Sequence, residues 1–155
     1  MLKRFVIHEH HATRLHWDLR LEMEGVYRSW AVPKGVSMNP VDKRLAVAVG
    51  DHTLEYGKFE GIIPEGNYGA GRVAIWDKGA YECDDPPEQL KKGKIVFTIY
   101  GEKLKGGFTL VKMSNEEKNW LIIKSDDEFA DQDWELKTIL KPMKRSEARE
   151  KFKPD

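Results

Sequence analysis

Histidine is concentrated near the start of the sequence, in a spacing typical of a chemical site. All five histidines lie at or before position 52, and four of them lie between His8 and His16. Polar and apolar residues alternate from Arg14 to Glu22, so a β-strand there would have one apolar and one ionisable face. The ionisable face carries His16, Asp18, Arg20 and Glu22. A histidine, a carboxylate and an arginine in register predict a functional site rather than a solvated surface.

A second candidate strand runs from Arg44 to His52. Its even positions carry these two residues at the ends and only alanine and glycine between them, whereas leucine and valine occupy the odd positions. We expect the even face to lie beside the ionisable row of the first strand. Small side chains there would leave room for a ligand, although they serve close packing against a neighbouring strand equally well.

Two imidazoles and one carboxylate are a recurrent ligand set for a first-row divalent metal, and they leave coordination positions for substrate and water. The spacing allows two such sets. Each contains Asp18 and His52, and the third member is either His10 or His16. The other two histidines of the cluster, His8 and His11, are expected to be solvated or to support a ligand.

Two arginines indicate what such a metal would serve. A guanidinium binds phosphoryl oxygens in bidentate fashion, so Arg20 and Arg44 beside a metal predict a phosphate substrate. A non-haem iron oxygenase is an alternative, because His16-x-Asp18 followed by His52 imitates its ligand triad. A non-catalytic binding module is a further alternative.

The elements that must position these residues are short strands. Turn signals recur every few to a dozen residues, and apolar residues alternate between them. Strands are predicted at 5–7, 14–23, 26–32, 43–49, 72–76, 80–82, 94–100, 108–113 and 120–124, with a turn at Lys78-Gly79, a glycine-rich connecting loop at 61–71 and one helix between Pro86 and Gly93. The predicted fold is mainly β, a compact antiparallel β-barrel with one or two short helices, because closure removes exposed strand edges.

Composition bounds the class of protein. A chain of 155 residues, 40% hydrophobic and 34% charged, fits a single domain at 1–155, with a charged tail from about 142 to 155. Basic and acidic residues number 26 each, so any polyanion must be held by a local patch. The single cysteine, Cys83, fits a reducing compartment, and the first apolar run is too short for a signal peptide or membrane span. We expect a cytoplasmic protein without a membrane partner.

Several ordered motifs run along the sequence. They are HHATRLHWDLRLE at 10–22, SWAVPKG at 29–35, DKRLAV at 42–47, Asp51-His52, Tyr56, FEGIIPEG at 59–66, YGAG at 68–71, Trp76-Asp77 and WLIIK at 120–124. Together they resemble the 3′-phosphoesterase domain of bacterial end-joining ligase D and its free-standing relatives. Several motifs in order are far more specific than any one of them.

The resemblance implies an enzyme that heals 3′ ends of DNA or of an RNA–DNA primer-template, with Mn²⁺ as its preferred metal and a ligase or polymerase of end joining as its partner. The implied metal ligands are His10, Asp18 and His52. The implied catalytic and phosphate-binding residues are His16, Arg20, Arg44 and Tyr56. Among these, His16 is expected to be the general acid, because its intrinsic pKa is near neutrality.

Members of the family remove a 3′-terminal ribonucleoside and then the remaining 3′-phosphate. In ligase-borne members, charged residues of an N-terminal extension are implicated in the first step, and only nine residues precede His10 here. We therefore expect 3′-phosphate removal first, and ribonucleoside removal only as an additional activity.

Overall fold

The computed structural model describes residues 2–67, 69–114 and 116–140. The predicted charged tail, with Lys141, Lys144 and Arg145, lies outside the described residues. In the described part of the chain, no helix has the length and apolar character needed to cross a membrane.

Nine strands form one antiparallel sheet. They are β1 (Leu2–His11), β2 (Leu15–Met23), β3 (Val26–Val32), β4 (Arg44–Thr53), β5 (Gly61–Ile63), β6 (Gly71–Glu82), β7 (Lys94–Tyr100), β8 (Lys105–Lys112) and β9 (Asn119–Lys124). Eight of them pair in the order β1-β2-β3-β4-β9-β8-β7-β6, and β6 returns to β1 to close a barrel, while β5 pairs with one end of β6. The predicted mainly β barrel is confirmed.

Two short helices connect the strands. A 3-10 helix, Glu55–Lys58, follows β4, and helix α1, Pro86–Lys92, follows β6. The Asp85 carboxylate caps α1 by accepting the backbone N–H of Glu88, and Gly93 ends the helix in the left-handed conformation. The short helix predicted between Pro86 and Gly93 is confirmed.

The inside of the barrel is filled by apolar side chains. Large residues from strands all round the barrel are at most 2% exposed, among them Phe5, Leu19, Trp30, Tyr81 and Phe108. A barrel of eight strands is just wide enough for side chains to fill it. The core fills the barrel, so the polar residues of β2, His16, Asp18 and Arg20, lie on the outer wall opposite the core face that carries Trp17, Leu19 and Leu21.

Strand β1 is longer than predicted. It continues from Ile7 to His11 because this part pairs with β2 on one side and with β6 on the other. His8 and His10 consequently lie on the outer face of a strand rather than in a loop. The residue between them, Glu9, points into the barrel and is fully buried.

The predicted turn at Lys78-Gly79 is wrong, because both residues lie within the continuous strand β6. A Cβ atom at Gly79 would collide with the carbonyl oxygen of Tyr100 on the neighbouring chain segment. Glycine at this position permits the close approach of two backbone segments and does not mark a turn.

The prediction that Arg44 and His52 share a face of β4 is also wrong. Ala46 is fully buried in the core, so the even face at the start of β4 points inwards. A bulge interrupts the pairing of β3 with β4, because Ser29 pairs with Val49 whereas Tyr27 pairs with His52. The extra residue in β4 turns His52 to the outer wall and leaves Arg44 on the inner side.

The segment from 131 to 140, here called the C-terminal strap, crosses one end of the barrel. Its first residue donates its backbone N–H to the carbonyl of Met38 at 2.9 Å. Further along, the Trp76 indole donates to the carbonyl of Lys137 at 2.8 Å. Leu136 packs so tightly on Gly35 that no side chain could replace that glycine without moving it.

Candidate active site

The register of β1 with β2 brings three candidate ligands together on the outer wall. His10 lies directly opposite His16, and His8 lies opposite Asp18. Side chains that are directly opposite or diagonal across an antiparallel pair are within contact distance. Donor atoms of His10, His16 and Asp18 all lie within 4.8 Å of one another.

Backbone carbonyls determine which nitrogen of each imidazole faces the cluster. Nε2 of His10 lies 2.6 Å from the carbonyl oxygen of Gly69, and Nδ1 of His16 lies 3.1 Å from that of Arg14. Since a carbonyl oxygen can only accept, each of these nitrogens carries the hydrogen. In the neutral rings, the remaining nitrogens point lone pairs at the Asp18 carboxylate, at 3.3 Å from His10 and 3.2 Å from His16.

Lone pairs that face a carboxylate require a cation between them. Burial opposes the charge of Asp18, but the neighbouring imidazoles of His10 and His16 outweigh burial and hold the pKa of this carboxyl well below its usual value. Burial likewise opposes the charge of His16, but the Asp18 carboxylate outweighs it and raises the pKa of the imidazole. The site thus favours positive charge next to Asp18.

The cluster could also hold a divalent metal. Nitrogen and oxygen ligands lie about 2.0–2.2 Å from such ions, so two ligands at right angles lie about 3 Å apart. The two imidazole nitrogens are 3.3 and 3.2 Å from the Asp18 carboxylate, close to that spacing. Metal-bound imidazoles usually donate their second ring N–H to a carbonyl or carboxylate, which orients the ring. The carbonyls of Gly69 and Arg14 accept from His10 and His16 in this way.

Arg20 is held beside the cluster by three hydrogen bonds. Its Nε donates to Nδ1 of His8 at 2.9 Å, and its terminal nitrogens donate to the Ser29 hydroxyl at 2.9 Å and to the Asp18 carboxylate at 3.3 Å. The side chain is buried, which lowers the pKa of the guanidinium without discharging it. Among the described residues, three of its five N–H groups have a hydrogen-bond partner, so two remain for a substrate oxygen.

His8 is a neutral ring that orients Arg20. Burial first, and then the charge of Arg20, lower the pKa of His8 to about 3. Its Nε2 donates to the carbonyl of Phe59 at 3.1 Å, so Nδ1 is free to accept from Arg20. The position of His8 in β1 therefore determines the orientation of the guanidinium.

An aromatic stack continues the site beyond Arg20. The guanidinium carbon of Arg20 lies 5.0 Å from the centre of the Tyr56 ring, and the rings of Tyr56 and His52 stack at 4.3 Å. Burial, then the charge of Arg20, lower the pKa of His52, whereas burial raises that of Tyr56. Within the described residues, no hydrogen bond occupies the ring nitrogens of His52 or the hydroxyl of Tyr56, so both can bind a substrate.

The structure groups the predicted residues differently from the sequence prediction. His16, not His52, joins His10 and Asp18 in the compact donor group, because β1 extends to His11 while His52 lies two strands away from β2. Arg44 pairs with Asp42 at 3.3 Å, and no hydrogen bond or ion pair in the described part of the chain links it to the cluster.

Three supporting residues were missed or underrated in the sequence. His8 and Ser29 bind Arg20, and Gly69 binds His10. The pattern Val6-x-His8-x-His10 is a strand alternation that could have placed His8 on the outer face. Nothing in the sequence marks the Gly69 carbonyl, because a backbone contact depends on the path of the loop.

Residues 8–112 match the family model described as the DNA ligase D 3′-phosphoesterase domain. The chain belongs to this family. The matched range includes the donor group, Arg20 and the aromatic stack, whereas the C-terminal strap follows it. The resemblance recognised in the ordered motifs is thereby confirmed.

Curated relatives of this DNA ligase D family agree with the match. The multifunctional non-homologous end joining protein LigD of Pseudomonas aeruginosa is 48% identical over 129 residues, which cover 81% of this chain and 15% of that protein. Its namesake from Mycolicibacterium smegmatis is 46% identical over 132 residues, covering 81% of this chain and 17% of the relative. The chain thus spans about a sixth of the length of these relatives.

Proposed function

We propose that this chain is a divalent-metal-dependent phosphoesterase that removes the phosphate from the 3′ end of nucleic acid. The proposal depends on one observation: His10 and His16 each direct a ring nitrogen at the Asp18 carboxylate, and Arg20 donates a hydrogen bond to the same carboxylate. A cation site next to a positioned guanidinium is the arrangement expected for phosphoryl transfer. The family described as a 3′-phosphoesterase domain supports the reaction class.

The proposed metal ligands are His10, His16 and Asp18. This set replaces the one implied by resemblance, in which His52 stood in place of His16. A bound ion would neutralise charge on the phosphate and polarise the phosphorus. Two imidazoles and a carboxylate are compatible with Mn²⁺, the metal we propose, and also with Fe²⁺ or Zn²⁺.

Arg20, Tyr56 and His52 are proposed to bind the phosphate oxygens. The two spare N–H groups of Arg20 would bind them as charge develops in the transition state, and the Tyr56 hydroxyl would add a donor. The guanidinium is already immobilised by His8, Ser29 and Asp18, so little reorganisation is needed when substrate binds. No role is proposed for Arg44 in this step, because its described ion pair is to Asp42.

The proton for the departing 3′-oxygen is proposed to come from His52. His16 was the expected acid, but its Nε2 faces the Asp18 carboxylate and its Nδ1 donates to a backbone carbonyl, so neither nitrogen is directed towards a leaving group. His52 is half-buried, and an arriving phosphate dianion would raise its pKa and favour the protonated ring.

The substrate is proposed to be a DNA 3′ end, and the setting is the repair of DNA breaks. The relatives are named non-homologous end joining proteins, and in them the matched region is one part of a much longer chain. A ligase or polymerase of end joining is the proposed partner. Removal of a terminal ribonucleoside is proposed as an additional activity of the same site.

The test is phosphate release from a 3′-phosphorylated DNA oligonucleotide with Mn²⁺. Wild-type protein should release phosphate, chelator should abolish release, and Asp18→Asn should reduce it at least about a hundredfold. The matched control is Asp84→Asn, which changes an exposed carboxylate outside the site. Absence of release by the wild type, or full activity of Asp18→Asn, would refute the proposal.

The same experiment separates the alternatives. An iron oxygenase would need His16, Asp18 and His52 as ligands, whereas the compact group contains His10 instead of His52. A non-catalytic binding module would bind the oligonucleotide without releasing phosphate. Turnover that requires Fe²⁺ and a 2-oxo acid would favour the oxygenase.

A further inference from the structure

Two buried residues lie opposite each other on the inner side of the barrel wall. Both are next in sequence to proposed metal ligands. In the register of β1 with β2, Glu9 lies opposite Trp17. Glu9 directly precedes His10, and Trp17 stands between His16 and Asp18. Because side chains alternate across a strand, this pair lies immediately behind the donor cluster.

The Glu9 carboxylate is fully buried and accepts hydrogen bonds from three directions. The indole N–H of Trp17 lies 3.3 Å away, and Nε2 of His11 lies 2.9 Å away. The third direction is the C-terminal strap, in which the backbone N–H groups of Ile139 and Leu140 approach to 2.9 and 2.8 Å. One carboxylate thus joins β1, β2 and a segment about 130 residues later in the chain.

A carboxylate in this position must keep its partners. Burying an ionised group without hydrogen bonds is very costly, and Glu9 has no lysine or arginine partner among the described residues. The strap supplies two of its donors while closing the barrel end. Loss of the strap contacts would admit water behind β1 and free the strand that carries His10.

We propose that Glu9 is a positioning residue for the metal cluster, and that the C-terminal strap acts on the cluster through it. The inference rests on the proposed function, because it assumes that His10, His16 and Asp18 hold a divalent ion. It adds a part of the chain that lies outside the range 8–112 matched by the family model. The strap is then a component of the active site rather than only a cover for the core.

The decisive variant is Glu9→Gln, which preserves size but presents an NH₂ group to donors. Whichever way the amide is turned, at least one N–H of Trp17, His11, Ile139 or Leu140 faces another donor. We expect the Mn²⁺ affinity to fall about tenfold, the lower end of the range for side chains bonded directly to metal ligands, because Glu9 acts only through residues next to the ligands in the chain. The measurement is free Mn²⁺ by electron paramagnetic resonance during titration of the whole chain.

A matched control separates positioning from general destabilisation. The buried Asp77 carboxylate also binds backbone N–H groups, those of Lys78, Glu102, Lys103 and Leu104, but it is neither next in sequence to a proposed ligand nor bonded to a residue that is. Asp77→Asn should lower the metal-free melting temperature at least as much as Glu9→Gln. It should nevertheless bind Mn²⁺ within about twofold of wild type, because no partner of the metal ligands is removed.

The visible absorption bands of bound Co²⁺ provide a second readout of ligand geometry. They should shift in Glu9→Gln and remain unchanged in Asp77→Asn. If Glu9→Gln does not fold, Trp17→Phe removes the indole donor together with part of a buried ring, and it should show the same shift with a smaller loss of affinity.

Two results would overturn the inference, and a third would overturn the proposed function on which it rests. Wild-type Mn²⁺ affinity and Co²⁺ bands in the Glu9 variant would overturn it, as would an equal loss of affinity in Asp77→Asn. If wild-type protein binds no Mn²⁺, the proposed function itself fails, and the two failures are therefore distinguishable.

Discussion

Replacement of Arg20 by lysine tests whether the guanidinium is a positioned phosphate-binding group. The change retains the positive charge but removes the planar fork of donors. A lysine ammonium could keep the contact with Asp18, yet it could not also reach Nδ1 of His8 and the Ser29 hydroxyl. The variant therefore separates charge from geometry.

The size of both effects follows from these contacts. Nδ1 of His8 is buried and would lose its donor, which costs about 1–3 kcal/mol. For a domain of this size, a loss of about 2 kcal/mol lowers the melting temperature by about 4–8 °C. Loss of preorganised donors to the phosphate should lower kcat about 100- to 1000-fold, as for removal of an oxyanion-stabilising donor.

The assay is steady-state phosphate release from the 3′-phosphorylated oligonucleotide, with Mn²⁺ affinity and melting temperature measured on the same samples. Arg4→Lys is the matched control, because Arg4 is an exposed arginine of β1 that pairs with Glu22, and neither residue is proposed to bind metal or phosphate. It should leave kcat unchanged. A value of kcat/KM for Arg20→Lys within about tenfold of wild type would refute the role given to Arg20, as would a loss explained entirely by weaker metal binding.

Three further predictions concern the metal cluster. Gly69→Ala should weaken Mn²⁺ binding more than Gly66→Ala. Both glycines have a positive φ, 77° and 94° respectively, but only a Cβ at Gly69 would contact His10, at 3.4 Å from its Cε1. Equal Mn²⁺ affinities of the two variants in titrations would contradict this prediction. The raised pKa of His16 stabilises the metal-free protein below about pH 6.5, and this contribution is lost as pH rises through the raised pKa. Metal must displace that proton, so the Mn²⁺-induced rise in melting temperature should increase over the same pH interval and should be flat if His16 is not a ligand. Finally, Mn²⁺ at about 100 times its Kd should stabilise the fold by about 2.7 kcal/mol, an increase that chelator reverses in a thermal melt.

The sequence alone predicted the orientation of side chains best in strand β2. Its alternation is strict, so the outward placement of His16, Asp18 and Arg20 could be predicted without knowledge of any neighbour. The antiparallel barrel could be predicted for a similar reason, since most strands show local alternation and end at turn residues.

The errors arise where a neighbouring segment determines the structure. Glu9 made β1 look like the start of a loop, because an inward-facing carboxylate breaks the alternation unless distant donors satisfy it. Those donors are the backbone N–H groups of Ile139 and Leu140, which no local pattern reveals. In β4, a single bulged residue places His52 on the face opposite to that of Arg44. A bulge leaves little trace in residue types.

The segment between β4 and β6 contributes to the site through two backbone carbonyls as well as through the side chain of Tyr56. The carbonyl of Phe59 binds His8 at 3.1 Å and that of Gly69 binds His10 at 2.6 Å, so each sets the hydrogen position on one imidazole. The first ring then accepts from Arg20, and the second directs a lone pair at Asp18. Both halves of the proposed site, the guanidinium and the metal ligands, therefore depend on the path of this one loop. A change that moves its backbone should disturb phosphate binding and metal binding together.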